Sequence, residues 1–284
     1  MAQILRGAEV VEALNKKLVS EVERLKGQGV QPALAIVRVG ERSDDVSYER
    51  GASKLAKELG VAVRSIALPL DVTTSLLVET VEALNNDSCI HGVLMFRPLP
   101  KSIDEDLVCN TLVPSKDIDG ITALSLAGLF ADLPTGYAPC TAQACMEILK
   151  HYAIEPKGKK AVVVGRSLVA GKPVAMMLLA EHATVTIAHS QTSDLPGLVK
   201  GSDIVIACVG RAHILDSNYL SPGQVIVDVG INLAEDGSLV GDVAFEEALD
   251  VVEAITPVPG GVGMVTTSVL IKHVVQAAAF LTSE

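Results

Sequence analysis

Residues 46–60 carry one phenol and two amines, side chains that can take part in acid–base chemistry. The stretch reads VSYERGASKLAKELG, and its pattern predicts a helix. Successive helical residues turn by about 100°, so Tyr48 shares a face with Ala52 and three further apolar residues. Lys54 lies roughly 120° around the axis from Tyr48. A lysine able to work beside Tyr48 would therefore stand at position 52, where the chain has alanine.

Residues 162–173 combine a strand, a glycine-rich turn and the start of a helix. The sequence is VVVGRSLVAGKP, with Gly165, Ser167 and Gly171 in the turn. Such a turn leaves backbone N–H groups at a helix N-terminus, where a phosphate is stabilised. The spacing is not GxGxxG. The stretch is therefore a candidate dinucleotide-binding turn, with an ordinary strand–helix turn as the alternative.

The next predicted strand, residues 183–190, bears on the choice of cofactor. NAD-specific sites tend to carry an acid at the end of this strand, which holds the ribose 2′-hydroxyl. Here the strand ends in His189 and Ser190, and neither would repel a 2′-phosphate. Arg166, in the turn, could pair with that phosphate; the alternative is a solvated turn residue. The sequence favours NADP over NAD.

The elements that must position these residues alternate between strand-like and helical runs, which is typical of α/β folding with parallel sheets. A proline- and acid-rich segment after residue 96 interrupts the pattern, and a second α/β unit begins near residue 159. The predicted strands are 32–40, 61–69, 90–96, 159–165, 183–190, 202–210 and 224–231. The predicted helices are an amphipathic N-terminal helix, 45–59, 73–86, 140–152, 171–183 and 266–281.

Length and composition bound the class of protein. A chain of 284 residues is long for one core, so two domains are expected. The net charge of −11 argues against a general nucleic-acid binder. The five cysteines form no CxxC and no zinc spacing, which predicts reduced thiols and no metal site. Without a signal peptide or a transmembrane-length apolar run, we expect a soluble cytoplasmic protein with no membrane contact.

Two further stretches, PSKDIDG at 114–120 and TPVPGGVGMVT at 256–266, are unremarkable loops when each is taken alone. They become specific as part of an ordered set of motifs. The set is Tyr48, PLP at 98–100, KDIDG at 116–120, PCT at 139–141, GRSxxxGKP at 165–173, VDVGIN at 227–232, GDV at 241–243 and TPVPGGVG at 256–263. Over essentially the whole chain, the sequence resembles the methylenetetrahydrofolate dehydrogenase/cyclohydrolase family, known in bacteria as FolD.

The resemblance implies an α/β fold with two α/β domains and a cleft between them, the C-terminal domain being Rossmann-like. The folate-binding catalytic domain would comprise residues 1–139 and 266–284, and the NADP-binding domain residues 140–265. The helices at 140–152 and 266–281 look like the two spans that join the domains. Family members are usually homodimers, so a homodimer is expected.

The resemblance also assigns site residues. It implies that Tyr48 stacks on the tetrahydrofolate substrate and that Asp119 binds the pterin edge, both within the catalytic site. It implies that the folate side is further lined by Pro259, Gly260 and Gly261. It implies that the cofactor is met by Gly165, Arg166, Ser167, Ser190 and Ile231.

The chain departs from the family at positions that would line the folate. The family pattern is Tyr-x-x-x-Lys, in which the lysine is the main catalytic group, and a glutamine just before LPLP supports it. The interval from residue 40 to residue 60 fits the pattern without a gap, so the lysine position is Ala52 and the glutamine position is Phe96. Arg97 and Met264 stand where leucine and proline are usual. The alternative for Ala52 is membership of the helix's buried face.

Three hypotheses follow. The first is an NADP-dependent dehydrogenase that has lost most cyclohydrolase activity, because hydride transfer needs no proton transfer whereas hydrolysis does. The second is a bifunctional enzyme in which Lys54 or Arg97 replaces the missing lysine. Lys54 would be on the wrong face of the helix, and a guanidinium such as that of Arg97 is a poor base. The third is a non-catalytic folate or nucleotide binder.

Overall fold

The structure, a computed structural model, describes residues 2–281 and divides them into two compact units. The three-stranded unit comprises Ala13–Cys140 and residues 267–281, and the six-stranded unit comprises residues 2–12 and Thr141–Thr266. This division differs from the predicted domains at the N-terminus. Residues 2–12 join the six-stranded unit because Gln3 and Ile4 pair with a strand at Ala254–Ile255.

Strands and helices are labelled in chain order. The strands are β1 (Gln3–Ile4), β2 (Ala33–Val39), β3 (Ala62–Leu68), β4 (Gly92–Met95), β5 (Lys160–Val164), β6 (Thr184–Ala188), β7 (Ile204–Ala207), β8 (Val225–Asp228), β9 (Asn232–Leu233), β10 (Leu239–Val240) and β11 (Ala254–Ile255). The helices are α1 (Gly7–Gly27), α2 (Ser43–Glu58), α3 (Thr74–Asn86), α4 (Glu105–Thr111), α5 (Ala123–Ala131), α6 (Cys140–His151), α7 (Gly171–Ala180), α8 (Leu195–Lys200), α9 (Phe245–Leu249) and α10 (Val262–Leu281).

The three-stranded unit is built on a parallel sheet in the order β3-β2-β4. The central strand β2 is an almost continuous apolar run and is buried along nearly its whole length, as expected for a strand covered on both faces. Its side chains join those of α3 and α4 in one core cluster, which includes Val37, Leu77 and Val108. The edge strand β3 is mostly exposed or half-buried. The carboxyl ends of β2 and β4 lead directly into the segments that carry the candidate folate residues.

The six-stranded unit has a parallel sheet in the order β1-β11-β8-β7-β5-β6. The order in which successive strands are added to the sheet reverses at β5, because β6 lies on one side of it and β7 on the other. In open α/β sheets, ligands bind beyond the carboxyl ends of the strands at such a switch point. The topology is therefore that of a Rossmann-like nucleotide-binding domain, as predicted.

The predicted elements are found, with most ends shifted by up to about three residues, as is usual for boundaries. The elements that were not predicted are the short helices α4, α5, α8 and α9 and the two-residue strands β1, β9, β10 and β11. Helices α4 and α5 lie within or just after the proline- and acid-rich segment, where Asp104 and Thr122 cap them through their side chains. Helix α10 begins at Val262, four residues before its predicted start. Within the described residues, α10 is also the one helix that is long and apolar enough to span a membrane. Of its most apolar stretch, 56 % is buried inside the protein.

Candidate active site

Helix α2 and the end of β4 bring Tyr48 and Phe96 together. Their ring centroids are 5.8 Å apart and the rings are edge-to-face at 85°. The first turn of helix α2 contains Asp44 and Asp45, whose negative charges are favourable at the positive end of the helix dipole. Tyr48, which is predicted to stack on folate, is therefore in contact with Phe96, the residue at the position where the family has glutamine.

Along the face of α2 that carries Tyr48, the side chains change from partly exposed to buried within one turn. Tyr48 is 38 % exposed, whereas Ala52, one turn later, is 1 % exposed, and Ala56 and Leu59 are also buried. The predicted apolar face of α2 is therefore present. The sequence left two alternatives for Ala52, a place in the buried face of the helix and a place beside Tyr48. The structure shows both, since Ala52 is buried and lies one turn from Tyr48.

Lys54 and Arg97, the two candidates to replace the family's lysine, each lie beside a carboxylate. Lys54 has a mostly exposed side chain whose ammonium lies 3.9 Å from Glu58, a carboxylate one turn along the same helix. Arg97 is half-buried, and its guanidinium lies 3.6 Å from Glu105. That carboxylate also accepts a hydrogen bond from the backbone N–H of Leu99 at 2.7 Å. The ion pair offsets the charge of Arg97, and a guanidinium has no acceptor site for a proton.

The KDIDG turn contains two carboxylates with different partners. Asp117 is fully buried and accepts hydrogen bonds from two backbone N–H groups and from the hydroxyl of Ser125. Asp119 is half-buried and accepts a hydrogen bond from the backbone N–H of Cys140 at 3.3 Å. Burial raises the pKa of Asp119, while hydrogen bonds from Cys140 and the charge of Arg97 oppose the rise. The turn is thus shaped by Asp117, which leaves acceptor capacity on Asp119 for a ligand.

Lys116, in the same turn, has a structural role that the sequence did not reveal. Its side chain is 5 % exposed, and its ammonium donates to the backbone carbonyls of Leu84, Asn85 and Asp87 at 2.8–2.9 Å. These carbonyls end α3, a helix with no basic residue in its own last turn. Lys116 therefore caps α3, as cations favour helix C-termini. Burial lowers the pKa of this amine.

The predicted cofactor turn follows β5 at the switch point of the six-stranded sheet. Gly165 has φ of +136°, and a Cβ there would collide with the backbone of Cys208, the residue just after β7. A Cβ on Gly171 would collide with the carbonyl of Gly165, so the start of α7 needs glycine to approach the turn. The hydroxyl of Ser167 accepts from the N–H of Ala170 at 3.2 Å. The two glycines bring the helix start close to the strand end, as a phosphate-binding turn requires.

The other predicted cofactor residues are exposed around that edge of the sheet. Arg166 and Ser190 are exposed, and Ile231, just after β8, is 62 % exposed. Among the described residues, no carboxylate lies within ion-pair distance of Arg166. In residues 166–169, which are exposed, no backbone N–H has a partner within the described chain. The residues present therefore fit a dinucleotide phosphate, with a cation and unpaired donors.

The motifs VDVGIN and GDV contribute two buried carboxylates that brace this edge. Asp228 accepts from the N–H groups of Gly230, Asp242 and Val243 at 2.9, 3.1 and 2.8 Å. Asp242 accepts from three successive N–H groups after β7 and from the side chain of Asn232. Burial raises the pKa of Asp228 to about 7. The two carboxylates hold the loops after β7 and β8, a role that their spacing in the sequence did not indicate.

The TPVPGGVG loop lies in the six-stranded unit, between β11 and α10. Gly260 has φ of +104°, and its carbonyl accepts from the N–H of Gly7 at 2.8 Å. A Cβ on Gly7 would collide with the carbonyl of Gly261. Pro259, Gly260 and Gly261 thus form a loop fixed by the start of α1. Tyr48, Phe96 and Asp119, the other candidate folate residues, belong to the three-stranded unit.

Family models match both parts of the chain. Residues 5–119 match the catalytic domain of tetrahydrofolate dehydrogenase/cyclohydrolase, and residues 139–281 match the NAD(P)-binding domain of the same family.

Individual relatives match along almost the whole chain. The "Bifunctional protein FolD" of Clostridioides difficile (strain 630) is 46 % identical over 97 % of this chain and 96 % of its own. The crystal structure of bifunctional FolD from Campylobacter jejuni has a TM-score of 0.96 at 35 % identity, with 99 % of both chains covered. The Trypanosoma brucei FolD structure, solved with NADP cofactor and an inhibitor, has a TM-score of 0.92 at 35 % identity. It covers 100 % of this chain and 99 % of its own.

Proposed function

The chain belongs to the tetrahydrofolate dehydrogenase/cyclohydrolase family, and we propose that it oxidises 5,10-methylenetetrahydrofolate to 5,10-methenyltetrahydrofolate with NADP⁺. We further propose that it hydrolyses the methenyl product only slowly. The observation that carries the second proposal is the apolar surrounding of Tyr48, with buried Ala52 one turn along α2 and Phe96 against the ring.

The two family reactions place different demands on these residues. In the oxidation, a folate nitrogen lone pair expels hydride from the methylene carbon, and no side chain has to move a proton. NADP⁺, when bound, accepts that hydride. Tyr48 and Asp119 then have only to hold and orient the folate, and positioning of this kind supplies a large part of catalysis. Dehydrogenation can therefore proceed without a lysine at position 52.

Hydrolysis of the methenyl group makes the opposite demand. Attack by water requires removal of a proton, and opening of the ring requires delivery of one. General acid–base assistance is typically worth about 10²–10⁴ in rate. A methyl group at position 52 and a phenyl ring at position 96 supply no such assistance, and both exclude water. These residues support the proposal that the lysine and glutamine of the family are replaced here.

The NADP preference is supported by charge at the cofactor edge. Arg166 lies in the turn after β5, and β6 is followed by His189 and Ser190 rather than by an acid. A guanidinium can form charge-assisted hydrogen bonds with a 2′-phosphate, whereas a carboxylate there would repel it. The Trypanosoma brucei relative, whose structure contains NADP, adds to this support.

A bifunctional enzyme is the second candidate. It is favoured by the names of the relatives, which describe bifunctional proteins. It would require a replacement group, and the structure argues against the two candidates. The ammonium of Lys54 is exposed beside Glu58, and Arg97 is paired with Glu105. A non-catalytic binder is the third candidate, and the fit of the cofactor turn speaks against it.

We also propose a cytoplasmic homodimer, as the resemblance implies. Within the three-stranded sheet, β3 is an edge strand with one unpaired side, a surface on which a second copy could pair. The molecular mass in solution tests this proposal, and a monomer at all concentrations would refute it.

One assay separates the catalytic candidates. Purified protein is mixed with methylenetetrahydrofolate and either NADP⁺ or NAD⁺, and reduced cofactor and methenyl folate are followed separately. The proposal expects both to form together, faster with NADP⁺, and methenyl folate to accumulate. No reduced cofactor would refute the dehydrogenase, and rapid loss of methenyl folate would favour the bifunctional enzyme.

A further inference from the structure

The backbone carbonyl of Ile118, the residue before Asp119, is held by two buried side chains from distant parts of the chain. The ring of His273, on α10, places Nδ1 2.8 Å from this oxygen. The thiol of Cys140, the first residue of α6, donates to the same oxygen at 3.3 Å. Ile118, Cys140 and His273 are 0 %, 4 % and 3 % exposed. The contact is therefore sheltered from water, which would otherwise compete for the carbonyl.

The chemistry of these groups fixes which of them donates. A carbonyl can only accept, so the proton of His273 must be on Nδ1. Burial raises the pKa of Cys140 well above its usual value, so the thiol keeps its proton and serves as the second donor. The imidazole also lies against Tyr137, with ring centroids 4.9 Å apart and a tilt of 33°. The stacking holds the ring in the orientation that points Nδ1 at Ile118.

Residues 137–140 also contact the KDIDG turn on the C-terminal side of Asp119, at Gly120. Gly120 has φ of +60°, and a Cβ there would lie 2.5 Å from the carbonyl oxygen of Tyr137 and 2.6 Å from the nitrogen of Pro139. The backbone N–H of Cys140 reaches the carboxylate of Asp119 at 3.3 Å. The backbone on both sides of Asp119 is thus clamped, and the direction of its carboxylate depends on that clamp.

We propose that His273 is a positioning residue that directs the carboxylate of Asp119 toward the pterin by holding the Ile118 carbonyl. This inference rests on the proposed function, since it concerns how the folate is recognised. His273 lies far from Asp119 in the sequence and acts only through the backbone. Its loss should therefore weaken the binding of folate and leave the binding of NADP unchanged.

Three substitutions of His273 distinguish the effect of its hydrogen bond from the effect of its ring shape. His273→Leu removes the donor and leaves a buried carbonyl without one of its partners. His273→Asn keeps a donor, because the amide nitrogen of Asn, like Nδ1 of His, is bonded directly to Cγ. His273→Gln places its amide nitrogen one bond farther out. If the donor position matters, Asn should restore binding and Gln should not.

The test measures the dissociation constants of tetrahydrofolate and NADP⁺ for each folded variant, together with kcat and KM. His273→Leu should weaken tetrahydrofolate binding by about tenfold, with KM rising more than kcat falls, and His273→Asn should stay within about threefold of the unmodified protein. If His273→Leu does not fold, the Asn and Gln variants decide the matter. Equal binding of tetrahydrofolate by those two variants would overturn the inference.

A double substitution tests whether His273 acts through Asp119. In an Asp119→Asn background, His273→Leu should cost little further affinity, because the group that it positions is already altered. Independent, additive losses would overturn the inference. If the unmodified protein does not bind tetrahydrofolate at all, the proposed function falls and this inference falls with it. If the unmodified protein binds and His273→Leu binds equally well, only the inference falls.

Discussion

Asp117 and Asp119 are two positions apart in one turn, and their carboxylates have opposite environments. Asp117 accepts three hydrogen bonds of 2.6–2.9 Å from its own turn and from α5. Asp119 instead accepts from Cys140, whose backbone N–H lies 3.3 Å away and whose thiol also contacts the carboxylate. A carboxylate has about four acceptor positions, so Asp119 keeps capacity for the adjacent N–H donors of a pterin. The turn thus separates an acid with a structural role from the acid that we propose binds the pterin.

Substitution of each acid by asparagine should produce different losses. Asp119→Asn replaces one acceptor oxygen by a donor, so tetrahydrofolate should bind at least about tenfold more weakly while NADP binding and the unfolding midpoint change little. Asp117→Asn should instead lower the free energy of unfolding, by about 1–3 kcal/mol, because a buried network loses an acceptor. Binding titrations and denaturant unfolding measure the two effects. Unaltered folate binding by folded Asp119→Asn would show that Asp119 is not the pterin anchor.

Arg166 should discriminate between the two nicotinamide cofactors. Arg166→Ala removes a charge-assisted phosphate contact, which is typically worth about 1.5–3 kcal/mol, so kcat/KM should fall by about ten- to a hundredfold for NADP and little for NAD. Lys159→Ala is a matched control, since it removes an exposed cation just before β5, at the opposite end of that strand. An equal loss with both cofactors would contradict the phosphate role.

Asp228 should make stability depend on pH. Its folded pKa is raised to about 7 by burial, against about 3.9 in an unfolded chain. Because the pKa is higher in the folded state, Asp228 contributes its full stability when pH is below the pKa of the unfolded chain. That contribution is lost as pH rises through the pKa of the folded protein. The unmodified protein should therefore lose stability between about pH 4 and pH 8 relative to Asp228→Asn.

Denaturant unfolding over that pH range measures the difference. Asp228→Asn should be less stable at low pH, because one of its N–H acceptors is replaced, and its stability should fall less steeply with pH. Asp250→Asn, at an exposed carboxylate of the same unit, serves as the control. Parallel curves for the unmodified protein and Asp228→Asn would rule out a titration of Asp228 in this range.

The strands of four or more residues and the longer helices could be predicted because apolar periodicity is a local property. The β1–β11 pairing could not, since it joins two-residue strands from opposite ends of the chain. The same reason hid the roles of Lys116 and Asp228. Each is a charged residue in a recognisable motif, but its partners are backbone groups of other segments, and only folding brings them together.

The predicted site residues were drawn from the family resemblance, which names positions without giving their contacts. The structure places Phe96 beside Tyr48 and shows that Asp117, rather than Asp119, shapes the turn. It also brings His273 to the carbonyl of Ile118, from which it is separated by 155 positions in the sequence. A residue that acts through a backbone carbonyl leaves no signal in spacing or composition.

Introducing the lysine and glutamine that we propose are replaced in this chain should raise the rate of hydrolysis. Ala52→Lys with Phe96→Gln should accelerate conversion of methenyl to 10-formyl folate by at least about tenfold, a floor below the usual range for acid–base assistance. Ala52→Lys alone should do less, because Phe96 offers the amine no hydrogen bond and desolvation lowers the pKa of a lysine. Ala52→Met with Phe96→Gln is the matched control for size at a buried position. Equal rates in the lysine and methionine versions would contradict the assigned role of position 52.

The most direct test of the central claim is the rate at which the unmodified protein hydrolyses added methenyltetrahydrofolate. The measurement follows loss of methenyl folate with and without protein, under conditions in which the same preparation oxidises methylenetetrahydrofolate with NADP⁺. Our account predicts active oxidation together with hydrolysis close to the rate in buffer alone. Hydrolysis as fast as the oxidation would contradict it, because a proton-transferring group would then have to exist in place of Ala52 and Phe96.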